Sequence, residues 1–246
     1  MFSVKGKVAI VTGTSQGLGQ GMAKALVKAG AKVFGVSRDE SADTQKQLGK
    51  DFFGFSADLM HQDKLDQIVQ QCVEKFGKVD ILVNNAGTIR REDAINFGEK
   101  DWDDVLNINA KTVFFLSQAV ARQFIKQGEC GKIINIASML SYQGGIRVPS
   151  YTASKSAVKG LTMALANEWA KHGINVNAIA PGYFETANTA QIRSDADRNE
   201  SILARIPQGR WGKPEDLMGT VIFLASSASD YVNGFTVAVD GGWLAR

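Results

Sequence analysis

The sequence has little cysteine, no run of like charge and no long apolar stretch. Cys72 and Cys130 are the only cysteines, and neither stands in a Cys-x-x-Cys or Cys/His spacing, so neither a disulfide framework nor a zinc site is implied. Both read as free thiols of a reducing compartment. There is no basic tract, and 28 basic against 25 acidic side chains leave a formal net charge of +3, which implies no field strong enough to select nucleic acid. No stretch approaches a membrane span, and Met1 to Lys7 leads into a strand-like run without a cleavage pattern, so the cytoplasm is the expected compartment. Repeats, low-complexity segments and linkers are missing too. With 44% hydrophobic and 22% charged residues, this argues against disorder and for a single domain, 1–246, around one core.

What is present is an alternation. Short β-branched runs at 7–12, 31–36, 53–57, 79–84, 131–137, 174–180 and 235–239 predict seven strands. Between them, 17–29, 61–76, 101–126, 149–172 and 214–226 carry the period of helices with one buried stripe. Strand and helix in turn predict βαβ units, a parallel sheet with helices on both faces, and a doubly wound α/β fold whose crevice lies at the strand carboxyl ends. The polar stretch 185–208 lacks a strand and is expected to be a substrate lid rather than a helical excursion.

After the first strand comes Thr-Gly-Thr-Ser-Gln-Gly-Leu-Gly, 12–19, in which a helix begins. Gly13, Gly17 and Gly19 permit a tight turn and the close approach of a pyrophosphate to backbone N–H groups, with Ser15, Gln16 and Leu18 between them. No Gly-Lys-Ser/Thr ending follows, so a dinucleotide is a better guest than a nucleoside triphosphate. At the end of the second strand Ser37 supplies no carboxylate for an adenosine ribose, whereas Arg38 could pair with a 2′-phosphate or stack on adenine.

Tyr151 and Lys155 share one helical face. A tyrosine working as acid and base near neutrality needs a cation to stabilise its phenolate, and Lys155 can provide one. Ser138 ends the fifth strand, where its hydroxyl could donate to the oxygen that Tyr151 protonates. Asn109 is a polar residue where its helix should be buried; it needs partners and could hold a water for proton relay. The turn at Asn85, Ala86 and Gly87 is either structural or cofactor-lining.

These residues, in this order, resemble the short-chain dehydrogenase/reductase family over essentially the whole chain: 12–19, Asn84 to Gly87, Asn107 to Ala110, Ser138, Tyr151 to Lys155, and Pro181-Gly182 followed by Thr186. The resemblance implies a Rossmann-type fold and a catalytic set of Asn109, Ser138, Tyr151 and Lys155, with no metal. It also implies cofactor contacts at Tyr151 and Lys155 themselves, at Asp58 and Leu59 beside adenine, at Asn85 to Gly87, and at Pro181, Gly182 and Thr186 on the nicotinamide side. It implies a homotetramer too, for which Trp102, Phe114, Phe115, Trp169 and Trp243 are candidate buried surface. Both NAD(H) and NADP(H) stay open: the resemblance leans slightly to NAD(H), Arg38 to NADP(H).

The resemblance also implies a small sugar acid as substrate, whose carboxylate wants a cation beside a polar pocket. Arg90 and Arg147 are the candidates for that cation, Gln143 and Asn188 for the sugar hydroxyls, and Ser138 and Tyr151 for the reacting oxygen. Three alternatives are a gluconate, a 3-oxoacyl thioester whose carrier protein would dock on Arg193, Arg198, Arg205 and Arg210, and a dinucleotide sensor without chemistry.

Overall fold

The computed structural model describes residues 1–246, apart from the side chain of Asn188. Seven parallel strands form one sheet in the order β3-β2-β1-β4-β5-β6-β7. They are β1 Val8–Thr12, β2 Lys32–Ser37, β3 Phe52–Ser56, β4 Ile81–Asn84, β5 Gly131–Ile136, β6 Ile174–Pro181 and β7 Thr236–Val239. All five residues of β1 and all six of β5 are buried, as a parallel sheet covered on both faces requires.

The two-residue period of the strands sorts their side chains into two cores. Ile10, Phe34, Leu82, Ile133 and Val176 face one side, against α3 Leu65–Phe76, α5 Thr112–Gln127 and α6 Pro149–Trp169. Val11, Val33, Val83, Ile134 and Ile179 face the other, against α1 Gly17–Lys28 and α9 Met218–Ala225. Phe34 and Phe124 are wholly buried, and each contributes about 1.5–3 kcal/mol on burial. Strand order reverses between β1 and β4, so the loops leaving β1, β4, β5 and β6 surround one crevice.

The seven expected strands are present with ends shifted by one or two residues. Three features differ from the sequence expectation. A helix α2, Ala42–Leu48, was not anticipated, since its residues are mostly polar and Thr44 is the buried one. The single helix expected over 101–126 is α4 Glu99–Leu106, a widened π turn at Asn107–Lys111, and then α5. The stretch 185–208 is helical, with α7 Ala190–Ser194 and α8 Ala196–Arg205. Ile202 and Ile206 anchor it on Met139, Trp211 and Trp243.

Candidate active site

Ser138, Tyr151 and Lys155 meet where β5 ends and α6 begins. The Ser138 hydroxyl accepts a hydrogen bond from the Leu140 amide at 3.1 Å, which starts a short turn over Met139–Ser141. Ser141 donates to the Lys155 carbonyl at 2.6 Å and so ties that turn to α6. Pro149 opens the helix, where its missing N–H costs nothing, and one turn separates Tyr151 from Lys155. The Lys155 ammonium donates to the Ile136 carbonyl at 2.6 Å and lies 5.6 Å from the centre of the Tyr151 ring.

Burial pushes the Lys155 pKa down to about 8. Burial also raises Tyr151 above its ordinary value, while hydrogen bonding with Ser138 and the guanidinium of Arg91 pull the other way. The expected lowering of the phenol by Lys155 is thus not what the free protein shows. Desolvation outweighs the opposing pulls on the phenol, while the Lys155 ammonium, with one of its three donors on Ile136, keeps its charge beside the ring. At neutral pH the phenol holds its proton.

Asn109 sits in the π turn and is fully buried. Its Oδ1 accepts from the Thr88 amide at 2.8 Å, and its Nδ2 donates to the Thr88 carbonyl at 2.9 Å and to Ser154 Oγ at 3.0 Å. Ser154 in turn donates to the Tyr151 carbonyl at 2.8 Å. Both amide hydrogens are therefore used, and the side chain clamps the loop after β4 to α6.

Behind this corner runs a polar strut that sequence reasoning missed. Asn84 Nδ2 donates to Ser117 Oγ and to Asn135 Oδ1, both at 2.9 Å, and Asn135 Nδ2 donates to Thr162 Oγ1 at 3.0 Å. All four residues are buried. The available signal was Asn135 within Ile-Ile-Asn-Ile, an amide in a strand buried on both faces.

The phosphate loop folds back on its own helix. A Cβ on Gly19 would lie 2.1 Å from the Gly13 carbonyl oxygen, and Gly13 itself has φ +74°. Thr12 Oγ1 accepts from the amides of Asn85 and Ala86 at 2.9 Å, and Asn85 Nδ2 donates to the Thr12 carbonyl at 2.8 Å. Asn85 and Ala86 thus stitch two loops together, and a Cβ on Gly87 would come 2.9 Å from Asn109 Oδ1. Gln16, extended, precedes α1, the Ser15 carbonyl accepts from Gln20, and Leu18 packs on the core below. Around Gly17 a Cβ would meet nothing nearer than the Thr186 methyl at 3.8 Å. This side-chain-free cradle at the start of a 12-residue helix fits a diphosphate.

At the outer end, Ser37 Oγ is turned inward, accepting from the Thr14 amide at 2.9 Å. Arg38 is exposed. Asp58 is exposed as well and accepts from the Met60 amide, whereas Leu59 is buried and its carbonyl accepts from Thr112. On the opposite side Pro181 ends β6, and a Cβ on Gly182 would come 2.7 Å from Asp240 Cα. Thr186 starts the turn Ala187–Thr189.

The substrate candidates are dispersed. Arg90 donates to Asp101 at 3.3 Å and to Thr88 Oγ1 at 2.8 Å. Arg147 stands at φ +62°, paired with Asp93 at 3.0 Å and Glu92 at 3.5 Å, so its charge is answered by two carboxylates. Gln143 accepts from Arg205 at 3.1 Å, and the side chain of Asn188 lies outside the described residues. Arg91, one place beyond Arg90, is a cation whose field reaches both Tyr151 and Tyr183. Burial raises the Tyr183 phenol, opposed by Arg198, Arg205 and Arg91. Its ring packs edge-on to Trp243 and Trp211 at 4.9 and 5.3 Å between centroids. Among the described residues no cluster of three His, Cys, Asp or Glu could hold a metal ion, and no helix is long and apolar enough to cross a membrane.

Comparison with known proteins adds four findings. A family described as short chain dehydrogenase matches residues 7–197. The chain is 64% identical over 248 residues to the 2-dehydro-3-deoxy-D-gluconate 5-dehydrogenase of Dickeya dadantii (strain 3937), covering 100% of this chain and 98% of that one. It is 41% identical over 247 residues to the gluconate 5-dehydrogenase of Gluconobacter oxydans (strain 621H), covering 98% and 96%. Among solved structures, a gluconate 5-dehydrogenase from Burkholderia cenocepacia J2315 in complex with NADP and tartrate superposes with a TM-score of 0.95 at 38% identity, covering 100% and 98%.

Proposed function

The chain belongs to the short-chain dehydrogenase family, and on that premise we propose that it moves a hydride between NAD(P) and C5 of 2-dehydro-3-deoxy-D-gluconate, interconverting that acid and its 2,5-diketo form. The observation that carries this reading is the meeting of Ser138, Tyr151 and Lys155 at the carboxyl end of β5. The nicotinamide, when bound, supplies the acceptor or donor of the hydride. The chain's own residues handle the oxygen and its proton. In reduction, the Tyr151 phenol, protonated at neutral pH, gives its proton to the carbonyl oxygen while Ser138 hydrogen-bonds that oxygen. In oxidation the C5 hydroxyl returns the proton to the phenolate, whose charge Lys155 stabilises. A lysine pKa of about 8 keeps most of that charge in place at neutrality. The Gly13 to Gly19 cradle holds the diphosphate, and Arg38 and Asp58 lie at the adenosine end.

An acid substrate is favoured by the field of Arg91 on the two phenols, Tyr151 and Tyr183. The carrier-protein alternative loses ground because three of its four docking arginines are engaged within the chain: Arg193 on the Thr186 carbonyl, Arg205 on Gln143 and Arg210 on Asp216. A gluconate is the less supported acid, since the gluconate enzyme named above is 41% identical and the deoxy-acid enzyme 64%. The stretch 185–208 acts as the lid of the single domain. Homotetramers form through exposed apolar side chains, Phe115, Ile125 and Met163 on α5 and α6, and Phe235 beside β7.

The test is a matrix of kcat/KM for 2-dehydro-3-deoxy-D-gluconate, gluconate and an acetoacetyl thioester, each with both dinucleotides. The deoxy acid should be preferred by about 10-fold or more, the order of one well-placed charged hydrogen bond. Fastest turnover of the thioester would sink the proposal.

A further inference from the structure

The stretch from Asn85 to Asp93 has neither helix nor strand, and side chains hold it at several points. At Thr88, Asn109 takes both the amide and the carbonyl and is tied through Ser154 to the first turn of α6. Arg90 donates to Asp101 on α4. At the far end Arg147, four residues before Tyr151, closes on two consecutive residues. Its carbonyl accepts from the Glu92 amide at 3.1 Å, its Nε pairs with Asp93 at 3.0 Å, and its Nη2 pairs with Glu92 at 3.5 Å. The Glu92 carboxylate also accepts from the Asp93 amide at 2.7 Å, so the receptor for the guanidinium is itself fixed. Arg91 stands between these ties.

Arg147 holds this post with a strained backbone. Among the described residues only it and Ser41 have positive φ without being glycine, and glycine adopts that angle without steric penalty. Glycines stand two and three places earlier, at 145 and 144, yet the strained position carries a long charged side chain. Such an outlier persists only where neighbouring contacts over-determine it, and here the three contacts to Glu92 and Asp93 do so. Stability does not explain the choice, since both ion pairs are about half exposed and such pairs add little. What the contacts do fix is the placement of two loops. One carries Arg91, and the other leads into Tyr151. We propose that Arg147 is a positioning residue, a clasp that sets the separation between Arg91 and Tyr151 and thereby which oxygen of a bound sugar acid meets the phenol. With the carboxylate held at Arg91, the span from C1 to C5 must match that separation.

The inference rests on the reading of Arg91 as the cation for the substrate carboxylate, and the experiment separates the two. kcat and KM for 2-dehydro-3-deoxy-D-gluconate, at saturating dinucleotide, are measured for the wild type, Arg147→Gln, Arg147→Gly and the double variant Glu92→Gln/Asp93→Asn, each also in an Arg91→Gln background. All three changes should lower kcat about 10-fold with KM within about threefold, as expected when a bound substrate's reacting oxygen is displaced by a fraction of an ångström. In the Arg91→Gln background they should alter kcat less than about twofold, because a carboxylate that is no longer held cannot be misplaced by the clasp. Arg147→Gly relieves the backbone angle and carries the test if the glutamine variant does not fold. With KM raised by Arg91→Gln as expected, a kcat indifferent to Arg147, or one lowered equally in both backgrounds, overturns the clasp alone. A 10-fold rise in KM on Arg147→Gln also overturns it, since Arg147 would then be the anchor. An Arg91→Gln enzyme with unchanged KM overturns the reading of Arg91 and the clasp with it.

Discussion

Around Tyr151 the side chains of Asn109, Ser138, Ser154 and Lys155 are buried and partnered, whereas among the described residues of 185–208 only Ile202 and Ile206 are buried and most charged groups face solvent. Asn109, Ser154 and Thr88 hold one another through three hydrogen bonds between 2.8 and 3.0 Å, Ser154 adds a fourth to the Tyr151 carbonyl, and the Asn84, Asn135 and Thr162 strut backs them. Buried amides and hydroxyls have nowhere else to bond, so each fixes its neighbours. The 185–208 segment is attached by two apolar anchors and long arginines such as Arg205, which lies over Trp243 at 4.0 Å. Proton transfer demands fixed geometry, and this chain puts it on the over-determined side. In the function proposed above, selection of the guest falls to the side with freedom to adjust.

That contrast is open to attack, beginning with its strongest point. Tyr151→Phe removes the transferable proton and leaves the packing, so kcat should fall about 10³-fold with dinucleotide affinity within about twofold. A variant retaining a tenth of wild-type turnover would break the assignment. A smaller effect concerns buried charge. Lys155 has a folded pKa of about 8 against an ordinary 10.5, so below pH 8 both folded and unfolded chains are protonated and the folded one bears the cost of the buried cation. As pH rises from about 8 to 10 the folded chain sheds its proton first, and unfolding free energy should climb by about 1–3 kcal/mol. Denaturant titrations should show that climb in the wild type and its absence in Lys155→Met. The smallest effect compares two arginines at the rim. Arg91→Gln should raise KM for the sugar acid about 10-fold, while Arg147→Gln, whose partners are Glu92 and Asp93, should change it less than about threefold. The reverse order would place the carboxylate at Arg147.

Much of this was legible beforehand, and the reason differs by residue. The strands could be read because burial on both faces demands unbroken β-branched runs such as Ile133 and Ile134, and the phosphate loop because Gly13 and Gly19 have no substitutes where a Cβ would strike backbone. The π turn at Asn107–Lys111 was not legible, since one extra residue per turn leaves the apolar period almost intact. Nor was the choice among Arg90, Arg91 and Arg147. Loop residues have no period, and direction is settled by distant partners, Asp101 and Thr88 for Arg90, Glu92 and Asp93 for Arg147.

What the sequence by itself determined is the order of strands and helices, the glycine cradle and the one-turn pairing of Tyr151 with Lys155. Each is local, set by side-chain period or by the allowed angles of a single residue. Only the tertiary structure decided what those groups experience. It sets one Lys155 donor on the Ile136 carbonyl, gives both Asn109 hydrogens to Thr88 and Ser154, and leaves Arg193 with a buried donor. Desolvation and hydrogen-bond partnership depend on segments tens of residues apart meeting in space, which no local pattern encodes.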